Sequence, residues 1–185
     1  MRIRTLLYST LLCLAAGAGT AAAQEPGTVG LTIAHPSAVG LIWHASDRLA
    51  VRPEFTFSLT SSETEPGSGL PGGTTGSGWS VGTGVSLVYY TQEWDKVRGY
   101  VSPRFGYSRT RSETESGTFS STLTASNYGW GASYGVQYLP TDRFSVFGEV
   151  GIAGTVGRGT ASNSGNKSEG HTWGTRSGIG MVVYF

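Results

Sequence analysis

Large and small residues alternate along most of this chain with the period of a β-strand. In 78–91, Trp79, Val81, Thr83, Val85, Leu87 and Tyr89 form one row, and Gly78, Ser80, Gly82, Gly84, Ser86 and Val88 form the other. In 127–139, Tyr128, Trp130, Ala132, Tyr134, Val136 and Tyr138 oppose Asn127, Gly129, Gly131, Ser133, Gly135 and Gln137. Side chains leave a strand on alternate faces, so each segment has one large apolar face and one small polar face. Similar runs cover 49–60, 98–110, 144–156 and 172–185. They exceed the usual length of a globular strand and suit a tilted crossing of a bilayer. A soluble sandwich would carry charge on its outward row, and neither row of 78–91 or 127–139 does.

Two kinds of connection separate these runs. Ser46-Asp47-Arg48, Glu93-Trp94-Asp95-Lys96 and Pro140-Thr141-Asp142-Arg143 read as tight turns. Ser/Thr/Gly-rich stretches at about 61–77, 111–126 and 157–171 read as long loops, and their composition predicts mobility. Short turns at one end and long loops at the other is the polarity of a transmembrane barrel. The stretch 28–45 is broken by His35-Pro36-Ser37, and Pro disfavours ladder pairing. It divides into two short strands, 28–34 and 38–45, which brings the count to eight.

Aromatic residues recur at a membrane-like spacing. Trp79 and Tyr89 bracket one outward row, ten residues apart, and Tyr128 and Tyr138 bracket another at the same interval. Trp173 and Phe185 bracket the last, and Trp130 joins the upper group. Ten tilted strand residues rise roughly 25 Å, the height of a barrel's apolar band. Trp and Tyr seek the two interfaces, so belts at that spacing are expected.

The N-terminus supplies a compartment. Arg2 and Arg4 precede an apolar run from Leu6 to Ala16, and Ala21-x-Ala23 precedes Gln24, a signal-peptidase pattern. Residues 1–23 therefore read as a signal peptide and 24–185 as one barrel domain. Cys13, the single cysteine, lies inside the apolar run, so no thiol chemistry is expected of the mature chain. The formal charge of +1 includes Arg2 and Arg4, which leaves −1 for the remainder and no basic field for nucleic acid.

The chain closes on Ile179, Met181, Val183 and Phe185 in one row, ending at Phe185. This resembles the C-terminal assembly signal of bacterial outer-membrane barrels. With the segments above, the whole mature chain resembles the small outer-membrane barrel family of OmpA/OmpX/OmpW type. The resemblance implies an all-β, eight-stranded antiparallel up-and-down transmembrane β-barrel, with short periplasmic turns and longer extracellular loops. It implies the outer membrane of a Gram-negative-type bacterium, outer-membrane lipid and lipopolysaccharide as surroundings, the barrel-assembly machinery as a transient partner, and a monomer. It implies no cofactor and no metal. No peptidoglycan-binding segment follows Phe185, so no anchor of that kind is expected.

Few inward positions are charged. Arg52, Glu54, Arg104, Glu149 and Arg176 fall on small-residue rows at similar heights and form an expected luminal belt. Charges inside a narrow barrel must pair, because an unpaired buried charge is costly. The belt predicts a side-chain-filled lumen and a structural or surface-interaction role; its alternative is a narrow pore for ions or small apolar compounds. A lipid A-modifying enzyme would need a His, a Ser and an acid. His35-Pro36-Ser37 offers two of these without a surrounding motif, and His44 and His171 lack metal-ligand spacing. No catalytic residue is expected. Arg109, Arg111, Glu113, Glu115, Glu63 and Glu65 read as solvated loop charge or as contacts to lipopolysaccharide phosphates. The leader is directly testable: N-terminal sequencing of the protein from an outer-membrane fraction should begin at Gln24, and a sequence starting at Met1 would remove the signal peptide from the reading.

Overall fold

Eight antiparallel strands pair in chain order, and the last closes on the first. The structure, a computed structural model, describes residues 25–36, 38–64, 73–116, 119–162, 165 and 167–185. The expected signal peptide at 1–23, Ser37 and Glu65 lie outside them. The strands are β1 Val29–His35, β2 Ala38–Ser46, β3 Leu49–Thr64, β4 Thr74–Trp94, β5 Val97–Ser116, β6 Phe119–Thr141, β7 Phe144–Ala161 and β8 Lys167–Tyr184.

The register fixes the barrel's dimensions. A perpendicular walk from Ile33 passes Val39, Phe55, Thr83, Tyr107, Tyr128 and Val156 and reaches β8 at His171. Ile33 itself pairs with Met181, so the ring closes with a stagger of ten residues from His171 to Met181. For eight strands that stagger corresponds to a tilt of about 40° and an interior that side chains can fill.

The three tight turns lie at one rim. Asp47-Arg48 joins β2 to β3, Asp95-Lys96 joins β4 to β5, and Asp142-Arg143 joins β6 to β7. Asp95 has a φ of 45°, the left-handed conformation that two-residue hairpins favour and that Asp tolerates. The short first hairpin is present too, with β1 ending at His35 and β2 starting at Ala38.

The regions expected as long loops are largely strand. β3 runs to Thr64 opposite Thr74, β5 runs to Ser116 opposite Phe119, and β7 and β8 pair out to Thr160 and Lys167. Composition misled because Thr and Ser are compatible with a strand that is polar on both faces once it leaves the lipid. Hydroxyls and charges tie these ladders across strands: Thr74 Oγ1 donates to Ser116 Oγ at 3.2 Å, and Arg158 of β7 pairs with Glu169 of β8 at 3.5 Å.

Small residues on the inner rows make room for large ones. A methyl group at Gly135 would overlap the Tyr100 ring, and one at Gly180 would fall 2.5 Å from Phe147 Cζ. Tyr100 and Phe147 are both buried in the lumen. Gly135→Ala should therefore cost about 1–3 kcal/mol in reversible urea unfolding in lipid vesicles, the usual penalty of overpacking. Gly129→Ala, where the added carbon meets nothing closer than 3.7 Å, should stay within about 0.5 kcal/mol of wild type. Equal costs at the two positions would contradict this account of the glycines.

Candidate functional site

Inward side chains divide the lumen into three levels. The lowest is a packed aromatic and polar layer. Tyr90, Tyr100, Tyr184, Ile42, Val88 and Val182 are buried there, with His44 fully enclosed and stacked on Tyr90 at 5.7 Å. Gln137 accepts from Tyr90 Oη at 2.8 Å and donates from Nε2 to Ser145 Oγ at 2.6 Å and Tyr184 Oη at 2.8 Å. One amide thereby links strands β4, β6, β7 and β8. At the lower mouth the Arg98 guanidinium lies 5.3 Å from the Tyr90 ring centre and pairs with Glu93.

The middle level holds Arg52, Glu54, Arg104, Glu149 and Arg176, which the fold brings into one chain of alternating charge. Arg104 Nη1 lies 2.7 Å from Glu54 Oε2, and Glu54 Oε1 lies 2.9 Å from Arg52 Nε. Arg52 Nη2 lies 3.1 Å from Glu149 Oε2, and Glu149 Oε1 lies 3.2 Å from Arg176 Nη2. The order Arg104–Glu54–Arg52–Glu149–Arg176 runs from β5 through β3 and β7 to β8. Arg52 is its centre, packed 4.9 Å from the Phe147 ring centre, and Tyr100 Oη donates to Glu149 at 3.4 Å. The three central members are almost fully enclosed, whereas the side chains of Arg104 and Arg176 remain 21% and 29% exposed. Three guanidiniums face two carboxylates, so the belt carries one surplus positive charge.

The upper level is an open cup of about 220 Å³ above the belt. Arg104 and Arg176 reach it, with Thr56, Ser108, Asn127 and Thr155 among its walls.

The outside is a different surface. Trp79, Tyr89, Tyr128, Trp130, Tyr138, Trp173 and Phe185 all face outward, as do Leu41, Phe55, Phe57, Leu87, Phe105, Val136, Val150 and Ile152 between them. Trp130 and Trp173 meet edge to face at 5.6 Å across β7. Ile179, Met181, Val183 and Phe185 form the outward row at the end of β8. Arg109 and Arg111 lie opposite Val81 and Trp79 in the ladder, which sets them at the upper aromatic level. An apolar girdle of this extent around a closed barrel is a lipid-facing surface.

The structure separates the three histidines. His35 is exposed at the top of β1, His44 is sealed in the lowest layer, and His171 is exposed high on β8. Among the described residues no cluster of His, Cys, Asp and Glu could hold a metal ion. Sequence reasoning missed the lowest layer. Its members sit on the same inner rows as the belt, so extending those rows toward the turns would have found Tyr90, Tyr100, Gln137 and Tyr184.

No protein-family model and no curated protein matches the chain. Solved structures do. The chain is similar to a major outer membrane protein from Thermus thermophilus, with a TM-score of 0.56, 14% identity, and coverage of 85% of this chain and 98% of that one. It is also similar to Acinetobacter baumannii CarO at TM-score 0.43 and 10% identity, covering 86% and 98%, and to Ail, the attachment invasion locus protein of Yersinia pestis, at 0.44 and 14%, covering 85% and 94%. The Thermus similarity establishes the fold as that of an outer-membrane β-barrel. Fold and lipid-facing girdle together put the protein in the bacterial outer membrane.

The centre of the chain makes a measurable contribution. Arg52→Ala would leave Glu54 and Glu149 buried with one fewer partner each, a loss of about 3–5 kcal/mol by the usual cost of breaking a buried pair. Urea unfolding in vesicles should show that loss, and Arg176→Ala, at the exposed end, should show less than half of it. Equal losses would mean that the chain is not centred on Arg52.

Proposed function

We propose that the protein is a plugged outer-membrane barrel with a structural and surface-interaction role. One observation carries the reading: the Arg104–Glu54–Arg52–Glu149–Arg176 chain spans the lumen directly above a sealed layer of Tyr90, Tyr100, Gln137 and Tyr184. An ion entering from above would have to break buried pairs and then displace packed tyrosines, and both are costly in a low-dielectric interior. The wall anchors the chain in lipid, and the extended ladders of β3–β4, β5–β6 and β7–β8 are what the cell's surroundings meet. Arg109 and Arg111 stand at the upper interface, where lipopolysaccharide phosphates would accept their N–H groups. In this reading the barrel is a monomer, and the row of Ile179, Met181, Val183 and Phe185 is what the assembly machinery engages.

Single-channel recording of the refolded mature protein in a planar bilayer tests the plug. The wild type should be silent, and Arg104→Ala should be silent too, because the tyrosine layer below is untouched. Discrete conductance steps in the wild type would replace the plug with a narrow pore.

A further inference from the structure

Among the described residues the barrel wall is incomplete on one side. β1 follows β8 only as far as His35 opposite Ile179, and β2 follows β3 only as far as Ala38 opposite Thr56. Among the described residues, above those points β3 continues to Thr64 paired to β4 alone, and β8 continues upward to Lys167 paired to β7 alone. Two strand widths, roughly 10 Å at the spacing of a sheet, drop out of the wall at this level. The gap opens at membrane depth: Ile179 lies six residues below Trp173, roughly 15 Å of height for a tilted strand. Phe57 and Leu59 stand outward on one flank and Trp173 on the other.

Exposure follows the gap. Above Thr56, Ser58, Thr60 and Ser62 are exposed on the inner row of β3, and Thr172 and Gly174 are exposed on the inner row of β8. On the opposite wall at similar heights, Ser108, Asn127 and Thr155 are half-buried. Both flanks also line the cup above the charge belt, Thr56 from β3 and Arg176 from β8. The notch and the cup are therefore continuous. At the cup's floor are the belt's two partly exposed guanidiniums, of Arg104 and Arg176.

We propose that this notch admits a single-chain amphipathic carboxylate from the outer leaflet, with its head on Arg104 and Arg176 and its tail in the bilayer. The surplus positive charge of the belt matches a monoanion, and guanidiniums pair with carboxylates in planar geometry. A cup of about 220 Å³ holds a carboxylate and its first methylenes, so the rest of the chain leaves sideways between Phe57 and Trp173. The proposal uses the membrane placement and the intact plug of the preceding reading but requires no conductance.

Native mass spectrometry of the mature protein released from detergent tests it, with dodecanoate, dodecanol or dodecyltrimethylammonium added. The wild type should retain one dodecanoate and neither of the others. Retention should fall at least tenfold in the R104Q/R176Q double variant. Because that variant disturbs the belt, Gly174→Phe provides an independent block: a carbon added at Gly174 meets no atom within 4 Å, so the ring fills the mouth of the notch and leaves the ion pairs alone. It should also lose dodecanoate while keeping the wild type's heat-modifiable gel mobility and its silence in planar bilayers. Equal retention of acid and alcohol, undiminished binding in a folded Gly174→Phe protein, or preference for a two-chain phospholipid or glycolipid would overturn the proposal. A conducting wild type that still binds dodecanoate would remove the plug and leave this site standing.

Discussion

Every backbone N–H and C=O at membrane depth needs a partner, in the ladder or in a water-filled cavity, because hydrocarbon offers none. That requirement shapes this protein more than any side chain does. It forces a closed ring, and a ring of eight strands with a ten-residue stagger has an interior that side chains must fill. Rows of Gly and Ser on the inner face are the response, since they admit the rings of Tyr100 and Phe147 where two full-sized rows would collide. Among the described residues the ring is not completed above the β1–β2 hairpin, and there inner and outer surfaces become continuous.

The interior is organised around charge. Arg52 has a carboxylate on each side, and each carboxylate has a second arginine beyond it. Such an arrangement is tolerated at low dielectric because no member is left alone, and the two ends reach water in the upper cup. Below it, the Gln137 node locks the tyrosines of β4 and β8. In the plugged-barrel reading, stability and closure of the lumen come from the same contacts, and the partly exposed arginines above them are the groups proposed to meet a ligand.

Much of this was legible in the sequence. The alternation around Trp79–Tyr89 and Tyr128–Tyr138 located strands, Pro36 located the first hairpin, and the eight-stranded up-and-down barrel followed. The inner positions of Arg52, Glu54, Arg104, Glu149 and Arg176 could be read from parity, but their pairing order could not, because it depends on the stagger that links β3 to β7 across the lumen. The long ladders at Ser61–Thr64 and Arg111–Ser116 were hidden because a polar strand outside lipid has no apolar row to show. The notch was hidden for a related reason: seven- and nine-residue strands look like a weak hairpin, and only the register reveals what they leave unpaired.

Amide hydrogen exchange of the refolded protein, resolved residue by residue by NMR, tests the closure pattern most directly. In β8, the amides below Ile179 should all be protected, since both edges of the strand are paired there. Above Gly178 protection should alternate, with amides facing β7 slow and those facing the notch exchanging with water in the cup. Uniform slow exchange along the whole of β8 would mean that the wall is complete, and would contradict the account of an open upper ring.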